Sequence, residues 1–91
     1  MKNDSIILKP IISDFFKCLR ETHGWTQEGI AERLHVSARA YTDLERQENL
    51  CSFILFLRCY SYCMSDEQLL DLMHTCSQAI READAQNPPC A

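Results

Sequence analysis

The 91-residue sequence contains little glycine or proline: it has two glycines and three prolines. Folds rich in turns and β-sheet depend on these residues, so the composition favours helices. With only Gly24 and Gly29 available, a glycine-rich loop that cradles phosphates is excluded. There is no apolar run of about 18 residues, and a polar segment follows Met1, so we expect neither a membrane span nor a signal peptide. We therefore expect a cytoplasmic protein.

Positive charge is also scarce, since nine Lys/Arg stand against 13 Asp/Glu and give a net charge of −4. Residues 1–50 contain seven basic and eight acidic side chains (−1), and residues 51–91 contain two and five (−3). A basic surface spread over the whole protein is excluded. A nucleic-acid-binding face must therefore be local and lie in the first half of the chain.

The six cysteines and three histidines do not follow the spacing of a metal site, because no paired CxxC motif occurs. Cys59 and Cys63 are one helical turn apart, and we expect them to be reduced, buried thiols. None of His23, His35 and His74 belongs to a pattern of a nucleophile with a base, and no carboxylate pair suggests acid–base chemistry. We expect no enzymatic activity, no cofactor and no metal.

The helical spacing of apolar residues predicts one all-α domain with five helices. We expect an N-terminal arm at 1–9, helices 1–4 within 10–64, a C-terminal helix at 65–85 and a flexible tail at 86–91.

Capping residues mark where these helices begin and end. Pro10 suits the first turn of helix 1, and Gly24 is a stop signal for it. Hydroxyl residues are candidate N-caps for the other four helices: Thr26, Ser37, Ser52 and Ser65.

Helix 4, at about 53–63, is apolar on most sides. Such a helix runs through the core or supplies a subunit interface. We expect core packing for Phe53, Phe56, Leu57 and Tyr60.

Between residues 24 and 46, the apolar positions fit two short helices that cross closely. Ala31 has a small side chain that lets the two helices approach closely where they cross, and Val36 packs into the turn between them. The core-facing residues are Ile30, Leu34, Tyr41 and Leu44. The second helix could then project its other face into the major groove of DNA.

The same stretch resembles the helix-turn-helix of the Cro/CI-type (XRE) repressors, and the resemblance runs from about Phe16 to Leu70. It is carried by Thr26-Gln27-Glu28, Ile30-Ala31-Glu32-Arg33-Leu34, Val36-Ser37, Tyr41 and Leu44-Glu45-Arg46. The resemblance implies a lambda-repressor-like DNA-binding domain with its helix-turn-helix at helices 2 and 3. It further implies a sequence-specific transcriptional regulator, most simply a repressor, whose partner is double-stranded DNA.

The resemblance also assigns roles to individual residues. It implies phosphate contacts for Thr26, Gln27 and Arg46, and an ion pair between Arg20 and Glu45 that would join helix 1 to helix 3. The base-contacting positions it implies are Ser37, Ala38, Arg39, Thr42 and Asp43. Among these, arginine is the residue that can bind guanine through O6 and N7.

Some residues depart from the family pattern and support an alternative. His35 stands where the family favours glycine, and Asp43 places a negative charge on helix 3. The alternative is a protein-interaction module that kept the fold but lost DNA binding, such as a small regulatory or antitoxin-like partner. For the DNA-binding regulator we expect a homodimer, with an interface on helix 5 or on the N-terminal arm.

Overall fold

The computed structural model describes the backbone of residues 2–86 and the side chains from Asp4 onward. It contains five helices: α1 (Lys2–His23), α2 (Gln27–Arg33), α3 (Ala38–Glu45), α4 (Phe53–Tyr62) and α5 (Asp66–Gln86). No strand occurs within 2–86, so the all-helical class predicted from the sequence is confirmed. In that same range, none of the helices is both long enough and apolar enough to cross a bilayer.

Side-chain caps explain where four of the helices begin. A hydroxyl oxygen accepts a hydrogen bond from the backbone N–H three residues later, over 2.9 to 3.1 Å, at Thr26, Ser37, Ser52 and Ser65. The Gln68 side chain also accepts from the Ser65 N–H at 2.9 Å, which completes a capping box. All four predicted N-caps are therefore confirmed.

The expected arm at 1–9 is wrong, because residues 2–9 form the first turns of α1. Pro10 lies inside this helix, where it removes one backbone hydrogen bond. Leu8 and Ile11 on either side of it pack against the core, so apolar burial offsets the lost bond. Gln86 is helical, and the rest of the tail expected at 86–91 lies outside the described residues.

The core lies where α1 packs against α3 and α5, and where α2 packs against α3. Phe16 and Tyr41 are its largest side chains, and their rings meet edge to face at 6.4 Å. Cys59 and Cys63 are buried, as predicted, and burial raises the pKa of the Cys59 thiol to about 12.

Helix α4 buries less of its surface than its composition suggests. Leu55 and Cys59, one turn apart, face the core, whereas Phe53 is 74% exposed and Leu57 is 45% exposed. A helix that packs through one stripe must turn its opposite side to solvent. The expectation that Phe53 and Leu57 complete the core is therefore wrong.

Candidate nucleic-acid interface

Helices α2 and α3 pack closely across a four-residue connection. Ile30 from α2 and Tyr41 from α3 are both fully buried between the helices and α1. Ala31, only 1% exposed, has a side chain small enough for a close approach. Its carbonyl oxygen accepts from the Val36 N–H at 3.0 Å, which fixes the turn. The two helices are thus held in one fixed relation by packing and by the turn itself.

The turn contains a residue in the left-handed region, His35, with φ of 59°. Its N–H donates to the Glu32 carbonyl oxygen at 3.2 Å and so closes the end of α2. This conformation costs a non-glycine residue about 1–2 kcal/mol. The backbone therefore has, at this position, the conformation that glycine favours. Gln47, just after α3, also has a positive φ, of 64°.

Arg20 on α1 and Glu45 at the end of α3 form the ion pair that the resemblance implies. Arg20 Nε lies 2.7 Å from Glu45 Oε2, and Nη2 lies 3.3 Å from Oε1. Only 16% of the arginine side chain and 6% of the glutamate side chain are exposed. Solvent screens this contact little, so it fixes α3 against α1 more firmly than a surface pair would.

Three further donors converge on Glu45. Its carboxylate accepts from the Tyr41 hydroxyl and, at 3.0 Å, from Gln27 Nε2, while its backbone carbonyl accepts from the Ser13 hydroxyl. Burial raises the pKa of this carboxyl, but the hydrogen bonds outweigh burial and leave the pKa below its usual value. Glu45 is therefore ionised and joins α1, α2 and α3 at one point.

The predicted base-contacting residues divide into two groups. Ser37, Ala38 and Arg39 are exposed at the start of α3. Thr42 and Asp43 are half-buried. The first turn of α3 is thus the part most accessible to a large partner, and Arg39 supplies its positive charge.

The predicted phosphate-contacting residues differ in whether their side chains already contact other residues of the protein. Thr26 is exposed and caps α2, whereas the Gln27 amide is engaged at both ends. Its oxygen accepts from Thr42 Oγ1 at 3.4 Å, and its nitrogen donates to Glu45. Arg46 is exposed but lies 3.6 Å from the Glu48 carboxylate. The two contacts of the Gln27 amide were not predicted from the sequence, because they join positions 15 and 18 residues apart.

A second cluster was also missed. Trp25, Arg33 and His35 lie beside Arg58 and Tyr62 of α4. No local motif joins these three chain segments, and the only hint in the sequence is that Trp25 is the single tryptophan. In the described part of the chain, no group of three or more His, Cys, Asp or Glu side chains could hold a metal ion.

Comparison with protein-family models, curated protein sequences and solved structures finds no match to this chain. The residues and their geometry are therefore the basis for inferring a function.

Proposed function

We propose that this protein is a sequence-specific DNA-binding transcriptional regulator with a lambda-repressor-like fold of the Cro/CI (XRE) type. In this proposal α2 and α3 are its helix-turn-helix, and α3 enters the major groove. The observation that carries the proposal is the exposed first turn of α3, held outward on a buried scaffold.

The size of α3 fits this role. Its eight residues span about 12 Å at 1.5 Å per residue, and the diameter of a helix with its side chains, about 10–12 Å, matches the width of the major groove. Arg39 forms no ion pair with any described residue, so its guanidinium is available to a base edge or a phosphate. The N–H groups at the start of α2, behind Thr26, could face the DNA backbone.

The contacts around Glu45 support the proposal in a second way. A helix that reads base edges must keep its position, because small displacements break bidentate hydrogen bonds. The Arg20–Glu45 pair and the Gln27 amide fix the C-terminal end of α3 against α1 and α2. The exposed N-terminal turn of α3 is thereby presented from a rigid base.

The proposal includes a homodimer. The sequence suggested an interface on helix 5 or on the N-terminal arm, but we propose the apolar face of α4 instead, because its side chains are exposed. Phe53 is 74% exposed, Ile54 is 75% exposed and Leu57 is 45% exposed, and they lie within about one helical turn. Across a two-fold axis the same patch of each copy meets its counterpart, and a face of three uncharged side chains can pack against itself in this way. Three side chains are far fewer than the roughly 20–30 residues that each partner contributes to a typical stable interface, so the dimer is expected to be weak without DNA.

A selection experiment tests DNA binding directly. The full chain is mixed at low salt with duplexes that contain a randomised central segment, and bound duplexes are amplified over several rounds. Enrichment of a two-fold symmetric motif is the expected result. Arg39→Ala should relax the preference at one base pair of that motif. Arg81→Ala, which removes the same charge from α5, should keep the whole motif. Flat recovery of all duplexes by the parent protein contradicts the proposal.

Two observations favour the protein-interaction module as the second candidate. Asp43 puts a carboxylate on α3, and Glu48 offsets the charge of Arg46 just beyond it. Both features weaken attraction to phosphates. If duplexes are recovered without preference and with little salt dependence, the exposed face of α3 is better explained as a surface for another protein.

A further inference from the structure

A pocket of about 300 Å³ lies between the end of α2, the following turn and α4. Its lining includes Trp25, Arg33, His35, Arg58, Tyr62 and Cys63. Pockets that hold small molecules begin at about this volume. The predicted DNA-contacting residues do not line it, so the pocket is separate from the proposed interface.

The pocket contains two arginines whose charges are not compensated by acidic side chains. Arg33 Cζ lies 4.2 Å from the ring centre of Trp25, and Arg58 Cζ lies 5.4 Å from that of Tyr62. Neither guanidinium forms an ion pair with a carboxylate in the part of the chain that the structure describes. In a protein with a net charge of −4, two such groups at one pocket create a local site for an anion.

Aromatic contacts hold the two guanidinium groups in place. The imidazole of His23 stacks on Trp25 with ring centres 4.2 Å apart, which orients the indole that carries Arg33. His35 Nε2 lies 3.0 Å from Arg58 Nη2. The arginines are therefore oriented before any ligand arrives, and ordering them costs less on binding.

Arg58 also has an unused hydrogen-bond donor. Its Nε atom is buried and has no hydrogen-bond partner, a state that costs a buried donor about 1–3 kcal/mol. His35 beside it has the unfavourable φ of 59°. Unpaired buried donors and strained backbone are uncommon, and they concentrate at functional sites.

The charges of both arginines act at the same point of the pocket. Burial raises the pKa of the Cys63 thiol, while the positive charges of Arg33 and Arg58 oppose that rise. An anion placed near Cys63 would feel both guanidinium groups.

We propose that this pocket binds the phosphate group of a small molecule, with Arg33 and Arg58 as its charged ligands. A phosphate monoester carries between one and two negative charges at neutral pH, which two guanidinium groups can neutralise. Its tetrahedral oxygens can accept hydrogen bonds from the paired N–H donors of each guanidinium. The pocket volume suits a small ester of this kind.

Trp25 provides the measurement, because it is the only tryptophan and it contacts Arg33. Tryptophan fluorescence is followed while the full chain is titrated with inorganic phosphate and, separately, with glycerol phosphate, at ionic strength held constant with chloride. We expect a saturable change in the parent protein. Arg33→Gln and Arg58→Gln should each raise the dissociation constant about tenfold or more. Arg81→Gln removes one charge from α5 and should bind like the parent.

Further variants keep the result interpretable if Arg58→Gln fails to fold. Arg58→Lys keeps the charge but lacks the paired N–H donors of a guanidinium, so we expect weaker binding in a variant whose circular dichroism matches the parent. The absence of saturation with both phosphates, or equal affinity in Arg33→Gln and the parent, overturns the proposal. So does equal loss of affinity in Arg81→Gln, because a general charge effect would then suffice.

A parallel titration with a DNA duplex distinguishes small phosphate esters from the phosphates of DNA as the ligand. If the pocket takes small phosphate esters, Arg58→Lys should bind a DNA duplex as the parent does while losing affinity for glycerol phosphate. Loss of duplex binding with unchanged affinity for glycerol phosphate overturns the proposal and assigns Arg58 to the DNA backbone. This readout holds whether or not the DNA-binding function is correct, because the glycerol phosphate titration contains no DNA.

Discussion

The guanidinium of Arg20 and the carboxylate of Glu45 meet through two contacts, Nε to Oε2 at 2.7 Å and Nη2 to Oε1 at 3.3 Å. They join α1 to the last residue of α3 across 25 positions of sequence. Both side chains are mostly withdrawn from solvent. The position of α3 therefore depends on a pair of charges as well as on apolar packing.

Removing one partner of this pair should destabilise the fold. Glu45→Gln keeps the side-chain shape but leaves the Arg20 charge poorly compensated, so we expect a loss of about 2–4 kcal/mol in the free energy of unfolding. Urea denaturation measures it. Glu48→Gln is the matched control, because Glu48 pairs with Arg46 at 3.6 Å on the exposed surface. Its loss should stay below about 1 kcal/mol. Similar losses in the two variants would contradict the role given to Glu45.

The same carboxylate predicts a dependence on pH. Burial raises the pKa of Glu45, but its hydrogen bonds more than compensate and place it below the ordinary value of 4.5. The native state thus binds this proton less tightly than the unfolded state. The stabilisation is complete above about pH 4.5 and is lost as the pH falls through the native pKa.

Urea denaturation of the parent and Glu45→Gln at several pH values measures this contribution. The difference between their free energies of unfolding should be largest near neutral pH and should shrink below about pH 4.5. The corresponding difference for Glu48→Gln should change much less. A constant difference for Glu45→Gln down to pH 3 would show that the carboxyl has no depressed pKa.

The left-handed residue after α3 predicts a stabilising substitution. Gln47 has φ of 64°, is exposed, and uses its N–H to donate to the Leu44 carbonyl oxygen at 3.2 Å. Glycine adopts this conformation without the steric cost, so Gln47→Gly should raise the free energy of unfolding by about 0.5–1 kcal/mol.

Asn49→Gly is the control for this substitution, because Asn49 is exposed and does not have a positive φ. There glycine only adds freedom to the unfolded chain, so we expect a loss of about 0.5 kcal/mol. Thermal denaturation of both variants measures the two changes. If the two substitutions change the stability in the same direction, backbone strain at Gln47 is not the cause.

Local chemistry in the sequence predicted the helix starts well. A hydroxyl that caps a helix acts on the N–H three residues later, so Thr26, Ser37, Ser52 and Ser65 could be recognised from their immediate neighbours. The left-handed turn at His35 was expected from the resemblance, because the family favours glycine at that position. These features depend on a few adjacent residues.

Features that depend on tertiary packing were not predictable in this way. Pro10 is a residue that suits the start of a helix, yet α1 begins at Lys2. The helix extends beyond Pro10 because Leu8 packs against the core. The apolar run of α4 does not reveal which side faces the core, and Phe53 proves to be exposed. The pocket around Arg58 unites three segments whose meeting depends on the whole fold.

The exposed face of α4 predicts how the protein associates. Ile54→Asp places a charge in the centre of this face, so we expect its dimerisation constant to weaken at least about tenfold. Sedimentation equilibrium over a range of concentrations measures this. Ile6→Asp is the matched control, since Ile6 is 67% exposed on α1. Dissociation by Ile6→Asp alone would move the interface to the N-terminal part of α1, and a monomeric parent protein would contradict the homodimer.

The proposed reading of DNA depends most on Arg39. It is exposed in the first turn of α3, and no described carboxylate pairs with it. If its guanidinium donates hydrogen bonds to a guanine edge, Arg39→Ala should weaken the free energy of binding to the selected duplex by about 1–3 kcal/mol. It should also relax the sequence preference at one base pair. Fluorescence anisotropy at a stated salt concentration measures both effects.

Gln27→Ala provides the contrast, because that amide lies at the start of α2 and contacts Glu45 and Thr42. Its loss should weaken binding to the scrambled duplex as well as to the selected one, since a phosphate contact carries no base preference. Arg39→Ala should instead affect the selected duplex far more than the scrambled one. An Arg39→Ala protein that binds both duplexes as tightly as the parent would remove this residue from the interface, and with it the main positive charge that α3 offers to DNA.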